Sequence, residues 1–234
     1  MSDHRGPAPP PELASAAAHC FGDRIDLAVE FARLLTTDGV VRGLIGPREA
    51  PRIWARHLLN CAVVADLIEP DARVADVGSG AGLPGIVLAV ARSDLSVVLI
   101  EPLARRSAFL SEVVESLGLT NTEVVRARAE DCVRTRFDPA DVVTARAVAP
   151  LDRLALWCLP LCIEGGRVLA LKGESAIEEV DAHRPAVLRA GGGDPIVRLC
   201  GEGLLDPPTT VVEIPRVART TTARSDTGRR PRRR

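Results

Sequence analysis

The chain has 234 residues, enough for one large domain or two small ones. Apolar residues make up 46% and charged residues 26%, which excludes collagen-like, low-complexity and wholly disordered chains. A net charge of −1 conceals an asymmetry: from Arg216 onward eight arginines face the single acid Asp226, so this end carries +7 and the rest of the chain −8. No apolar run approaches the ~18 residues of a membrane span. The polar, proline-rich start MSDHRGPAPPPEL also lacks the apolar stretch of an export signal, so a cytoplasmic protein without membrane contact is expected. Six scattered cysteines (20, 61, 132, 158, 162 and 200) form no Cys-x-x-Cys pair. They read as reduced thiols filling small core positions, with no metal site expected.

In chain order, residues 1–12 are expected to be disordered. Helices follow at 12–20 and at 26–35, where Leu27, Phe31, Leu34 and Leu35 share one face. Residues 39–47 read as a loop. Pro51 opens a helix reaching about residue 68, with Ile53, Trp54, Leu58, Cys61, Ala62 and Ala65 as its apolar stripe. Arg56 and His57 fall at the border of that stripe.

From residue 73 the pattern changes to short β-branched runs at 74–77, 97–100, 124–125, 142–144, 168–171, 196–199 and 211–214. Amphipathic segments separate the early ones. The clearest is 105–117, with Phe109, Leu110, Val113, Val114 and Leu117 inward and Arg106, Glu112 and Glu115 outward. Such alternation predicts an α/β fold with a doubly wound parallel sheet, its strands apolar on both faces. The last two runs have no helix between them, so seven strands with an antiparallel finish are expected. The division is a disordered start (1–12), a helical extension (13–70) packed on a core (71–217), and a basic tail (218–234). The tail reads equally as a solvated segment or as a non-specific phosphate-binding arm.

The stretch RVADVGSGAGLPGIVLA carries the chemistry. A strand runs directly into Gly78, Ser79, Gly80, Ala81 and Gly82, then Leu83, Pro84 and a helix. Small residues there let backbone approach a ligand at the carboxyl edge of the sheet. Residues 80–85 formally match the dinucleotide pattern G-x-G-x-x-G, but Gly78 rather than Gly80 follows the strand, and Pro84 delays the helix. Asp76 is expected to face an amine-bearing or cationic ligand. Glu101, ending the second strand, would accept both ribose hydroxyls, which suits NAD as well. After the third strand come Ala129, Glu130 and Asp131, able to read an adenine edge, with Asp131 also a candidate helix N-cap. Together these describe an S-adenosylmethionine pocket better than a dinucleotide one. The absence of tyrosine also removes the Tyr-Lys chemistry of short-chain dehydrogenases.

With Arg56-His57, ADVGSGAGLPG (75–85), Ala129-Glu130, Ala145-Arg146-Ala147 and Leu171-Lys172-Gly173 in place, residues 25–180 resemble the RsmG (GidB) family. These are bacterial methyltransferases that pass a methyl group from S-adenosylmethionine to guanine N7 in 16S ribosomal RNA. The resemblance implies a class I S-adenosylmethionine-dependent methyltransferase with a Rossmann-like seven-stranded sheet and an N-terminal helical extension. It is expected to act as a monomer on 16S rRNA or the small ribosomal subunit, not on DNA. Gly78, Ser79, Gly80, Leu83, Glu101, Ala129, Glu130 and Arg146 would bind the cofactor. Arg56, His57, Arg146 and Lys172 would position the RNA: Arg146 on the guanine or the methionine carboxylate, Arg56 and Lys172 on phosphate, His57 as a donor or by stacking.

Three positions depart from the family pattern on the substrate side. Asn60-Cys61 replaces Asp-Ser, Asn-Leu-Thr is missing near residues 42–45, and Ala145 replaces Ser. N7 carries a free lone pair, so no general base is expected. Blander readings exist for Arg146 (a charged cap after a strand) and His57 (a helix histidine with a backbone partner). Lys172, the only lysine among 30 basic residues, suggests a need for a compact ammonium. Aromatic residues are 3% of the chain and are expected mostly in the core, leaving few platforms for base stacking. A methyltransferase for a small molecule or protein, and a non-catalytic cofactor-binding protein, remain the other readings.

Overall fold

A computed structural model describes residues 6–135 and 137–217. The helices are α1 (Ala14–Phe21), α2 (Ile25–Leu34), α3 (Leu59–Ala62), α4 (Gly85–Ala91), α5 (Ala104–Ser116), α6 (Ala129–Arg134), α7 (Leu151–Cys158) and α8 (Ala176–Arg189). The strands are β1 (Arg73–Val77), β2 (Ser96–Ile100), β3 (Thr122–Val125), β4 (Ala140–Arg146), β5 (Cys162–Lys172), β6 (Ile196–Cys200) and β7 (Thr209–Pro215). They form one seven-stranded sheet in the order β3-β2-β1-β4-β5-β7-β6. The first five strands run parallel, and β7 lies antiparallel to both β5 and β6.

Strand periodicity divides the core. Val74, Val97, Leu99, Val142, Leu169 and Val211 face one apolar cluster, which they share with α1 to α5. Ala75, Val77, Val98, Ile100, Val143, Val168 and Val212 face the other, beneath α6, α7 and α8. Helix α4 lies between the sheet and the N-terminal helices, which explains why Gly85 through Val90 are all buried and the helix is apolar all round. Helix α5, covered on one side only, buries Phe109, Leu110 and Val113 and exposes Glu112 and Glu115. Gly118, at φ +61, ends it with its N–H on the Glu115 carbonyl.

The front of the chain differs from expectation in three ways. Residues 6–12 make local contacts: the Trp54 indole N–H donates to the Pro7 carbonyl at 2.6 Å, and a 3-10 turn spans Pro11–Leu13. Helix α2 continues through a π turn, Leu35–Gly39, into the stretch expected as loop, because Leu35 and Gly39 are buried there. The helix opening at Pro51 is a succession of a 3-10 turn (Ala50–Arg52), a π turn (Trp54–Leu58), α3, and a 3-10 stretch (Val63–Leu67). Strand β5 begins well before residue 168, where Glu164, Gly165 and Gly166 hide its signal behind a register irregularity against β4. No helix among the described residues is long and apolar enough to cross a membrane. The basic tail from 218 lies outside the described residues.

Candidate active site

At the carboxyl edge of the sheet a cavity of about 590 Å³ opens between the β1–α4 loop, the ends of β2, β3 and β4, and the front helical segment. That volume is in the range of small-ligand sites. Its floor is the glycine loop. The Gly78 N–H donates to the Ile100 carbonyl at 2.8 Å, turning the chain across the tip of β2. Gly78 has φ +71, and a Cβ there would meet both Val148 methyls at 3.2 Å, so this position needs glycine for its angle and for its close approach. Pro84 is the N-cap of α4, so the helix starts late, as the sequence indicated.

Asp76 does not face the cavity. Its carboxylate is fully buried, accepting from the Gly85 N–H at 3.1 Å and from the Thr144 hydroxyl at 3.0 Å. Strand parity is the reason: Asp76 shares a face with Val74 and is directed at α4. Burial pushes its carboxyl up to about 6, with the donated hydrogen bonds opposing. Asp76 therefore ties β1, β4 and the start of α4 together and sets the shape of the loop.

Glu101 does line the cavity. Only 2% of it is exposed; Oε2 accepts from the Gly80 N–H at 3.0 Å and Oε1 from the Leu103 N–H at 2.9 Å. Each oxygen keeps a further lone pair for a ligand hydroxyl. Ser79 is buried, its hydroxyl donating to the Asp76 carbonyl at 2.9 Å, while Gly80 and Leu83 reach the cavity wall. Ala129 and Glu130 open α6 at the opposite wall, and no side chain caps that helix. Asp131 is not its N-cap. The helix starts two residues earlier, and Asp131 lies 3.4 Å from Arg134 on the outer face.

The four residues expected to position substrate separate into two groups. Arg146, ending β4, and His57, on the front segment, meet at the cavity wall: the guanidinium donates to His57 Nδ1 at 2.9 Å, to the Arg56 carbonyl at 3.1 Å and to Cys61 Sγ at 3.2 Å. Burial, then the Arg146 charge, holds the His57 imidazole below its usual 6.5. The Arg56 side chain is exposed on the outer side of the same turn.

Lys172 is elsewhere. Its ammonium points into the protein, donating to the Ala149 carbonyl at 2.9 Å and to Glu179 Oε1 at 2.7 Å. The same Glu179 oxygen accepts from the Leu151 N–H at 2.7 Å, at the first residue of α7. The expected phosphate contact is thus replaced by a joint that fixes the 147–151 loop. That loop carries Ala147 at φ +54 and Val148 above Gly78. Lys172 and Glu179 are 12% and 19% exposed. Lys172→Ala should therefore lower stability by about 3 kcal/mol, leaving a largely buried carboxylate short of a partner, as urea unfolding would register. Lys172→Arg, whose planar group does not fit the same joint, should depress turnover, and full activity would refute the role.

Several site residues carried no clear signal in the sequence. Trp157, one of the aromatics expected mostly in the core, packs against the core with one part and is half-buried on the cavity wall, with the Arg153 guanidinium 5.7 Å from its ring centre. The scarcity of aromatics could have drawn attention to it. Glu49, whose Oε2 lies 3.1 Å from His57 Nε2, sits eight residues upstream with no periodicity linking the two. The cysteines are all free thiols, and burial pushes Cys162 up to about 12 and Cys200 to about 11. Among the described residues no group of three or more His, Cys, Asp or Glu could hold a metal ion.

The strand order, the glycine bend after β1 and the buried acid after β2 define a class I methyltransferase fold. Solved structures share it. A predicted O-methyltransferase from Agrobacterium tumefaciens aligns with a TM-score of 0.52 at 15% identity, covering 68% of this chain and 81% of that one. A ribosomal protein L11 methylase from Lactobacillus delbrueckii subsp. bulgaricus aligns at 0.51 and 15% identity, covering 70% and 79%. Residues 24–203 match the family model GidB, rRNA small subunit methyltransferase G, and the chain belongs to that family. It is 65% identical to the ribosomal RNA small subunit methyltransferase G of Salinispora tropica, over 89% of this chain and 88% of the relative. Identity to that of Corynebacterium efficiens is 55%, over 86% and 87%. The protein is accordingly a methyltransferase.

Proposed function

We propose that the protein methylates N7 of a guanine in 16S rRNA, using S-adenosylmethionine, as a cytoplasmic monomer acting on the small ribosomal subunit. The observation that carries this reading is the cavity in which the Gly80 amide and Leu103 amide hold Glu101 in place, in a chain of this family. The residues present suit the donor. Glu101 offers lone pairs to ribose hydroxyls, and the uncapped start of α6 at Ala129 and Glu130 offers amide N–H groups to an adenine edge. The 78–83 loop brings backbone to the cavity wall, where Gly78 carries no Cβ and only the Val148 methyls lie over it. When bound, S-adenosylmethionine supplies an electrophilic methyl on a sulfonium sulfur.

The remaining contribution belongs to the chain. N7 already presents a lone pair, so no side chain has to remove a proton. Catalysis rests on alignment and on the electrostatics of the cavity. Among the described residues no carboxylate pairs with Arg146, so its charge remains available to an electron-rich partner such as guanine O6 or the methionine carboxylate. Arg56, exposed beside His57, suits a phosphate. A guanine paired in an A-form helix hides N7 in a deep groove, so the target lies in a loop or single strand.

Small-subunit particles from cells lacking the protein, incubated with purified enzyme and methyl-labelled donor, test this directly. Label is expected in 16S rRNA, at one guanine that becomes cleavable by the chemistry specific for 7-methylguanine. Label in protein or small molecules only would overturn the reading. Deleting residues 218–234 is expected to flatten the salt dependence of RNA affinity, since seven arginines leave with it. An unchanged slope would make the tail inert.

A further inference from the structure

The Arg146 guanidinium spends its donors on three uncharged acceptors of the front segment: His57 Nδ1, the Arg56 carbonyl and Cys61 Sγ. An imidazole can accept at Nδ1 only if its proton sits on Nε2. The group next to His57 Nε2 is the Glu49 carboxylate, at 3.1 Å, just ahead of the Ala50–Arg52 turn. Carboxylate, imidazole and guanidinium thus form one line from the surface to the cavity wall. We propose that Glu49 is a positioning residue for methyl transfer: it fixes His57 as the Nε2–H tautomer and thereby holds Arg146 across the side of the cavity that the target base must enter. This rests on the functional reading above.

The charged and titratable groups around His57 are few. Glu49 and Arg56 come from its own stretch and Arg146 from the end of β4. Arg52 acts on Glu49, and the Cys61 thiol beyond Arg146 is pushed up by burial and stays neutral. Protonating His57 puts a hydrogen on Nδ1, removes the acceptor for Arg146 and sets two cations side by side. Methyl transfer should therefore fall on the acid side of neutrality with the His57 titration. Glu49 opposes the downward push on His57. Removing only its charge should then shift the acid limb to lower pH, the reverse of what general destabilisation would do.

Two variants separate the parts. Glu49→Gln keeps an acceptor oxygen: the Nε2–H tautomer should persist, transfer at neutral pH should stay within about twofold, and the acid limb should move down. Glu49→Leu removes the acceptor: nitrogen-detected NMR of the His57 ring should show mixed tautomers, and transfer at saturating donor should fall about tenfold. A ring tautomer indifferent to residue 49 would overturn the proposal. So would a Glu49→Leu protein with mixed tautomers and full transfer. A wild-type protein inert on small subunits whose tautomer still follows residue 49 would contradict the functional reading and leave the relay supported.

Discussion

Gly85→Ala is expected to weaken S-adenosylmethionine binding by roughly a hundredfold, although residue 85 lies behind the cavity rather than on its wall. A Cβ at this position would stand 2.3 Å from Leu99 Cδ2 and 2.7 Å from Asp76 Oδ2. Leu99 and Asp76 are both fully buried, so neither has room to move. Overpacking a filled core costs about 1–3 kcal/mol, and a buried donor that loses its acceptor costs a similar amount. The Gly85 N–H is held by that same Asp76 carboxylate, so one methyl group incurs both penalties. The relief available is displacement of the 78–84 loop, which removes the floor of the cavity. Calorimetric titration reads the loss, and Gly173→Ala is the contrast. Nothing lies within 4 Å of a Cβ at 173, so that protein should bind normally. Equal affinity in the Gly85→Ala protein would show that the loop does not depend on the Asp76 joint.

Arg146→Ala should lower methyl transfer at least about tenfold at saturating donor, in line with loss of a charged hydrogen-bonding group. Its guanidinium joins β4 to the front segment through His57, Arg56 and Cys61, so the variant loses both a cationic group in the cavity and the link to the wall opposite. Arg146→Lys should recover little, because one ammonium cannot reproduce a planar fork spanning three acceptors. Single-turnover kinetics on small subunits separate this from weakened donor binding. An unchanged rate would reject the role.

The architecture was legible wherever local pattern and burial agree. Strands β1, β2 and β7 read as β-branched runs because both faces are covered, and α5 as a stripe because one face is not. Patterns failed where tertiary contact decides. The first half of β5, with Glu164 and two glycines, is held by its neighbours rather than by its own preference. Pro7 is held by the indole of Trp54, far away in sequence. At the site, the place of Glu101 and of the glycine bend on the cavity wall was readable because it follows from position at strand ends. Asp76 and Lys172 were misread for one shared reason: a charge near a strand tip can serve the cavity or the scaffold. Strand parity and the placement of Glu179 send both to the scaffold. The line from Glu49 through His57 to Arg146 joins the front segment to β4, and no sequence spacing encodes it.

The most direct test is a crystal structure with S-adenosylhomocysteine, the demethylated donor. The account requires its ribose hydroxyls on Glu101, its adenine beside Ala129 and Glu130, and its sulfur on the side walled by Arg146 and His57. A molecule seated elsewhere, or a cavity that Trp157 and Val148 keep closed to it, would contradict the account.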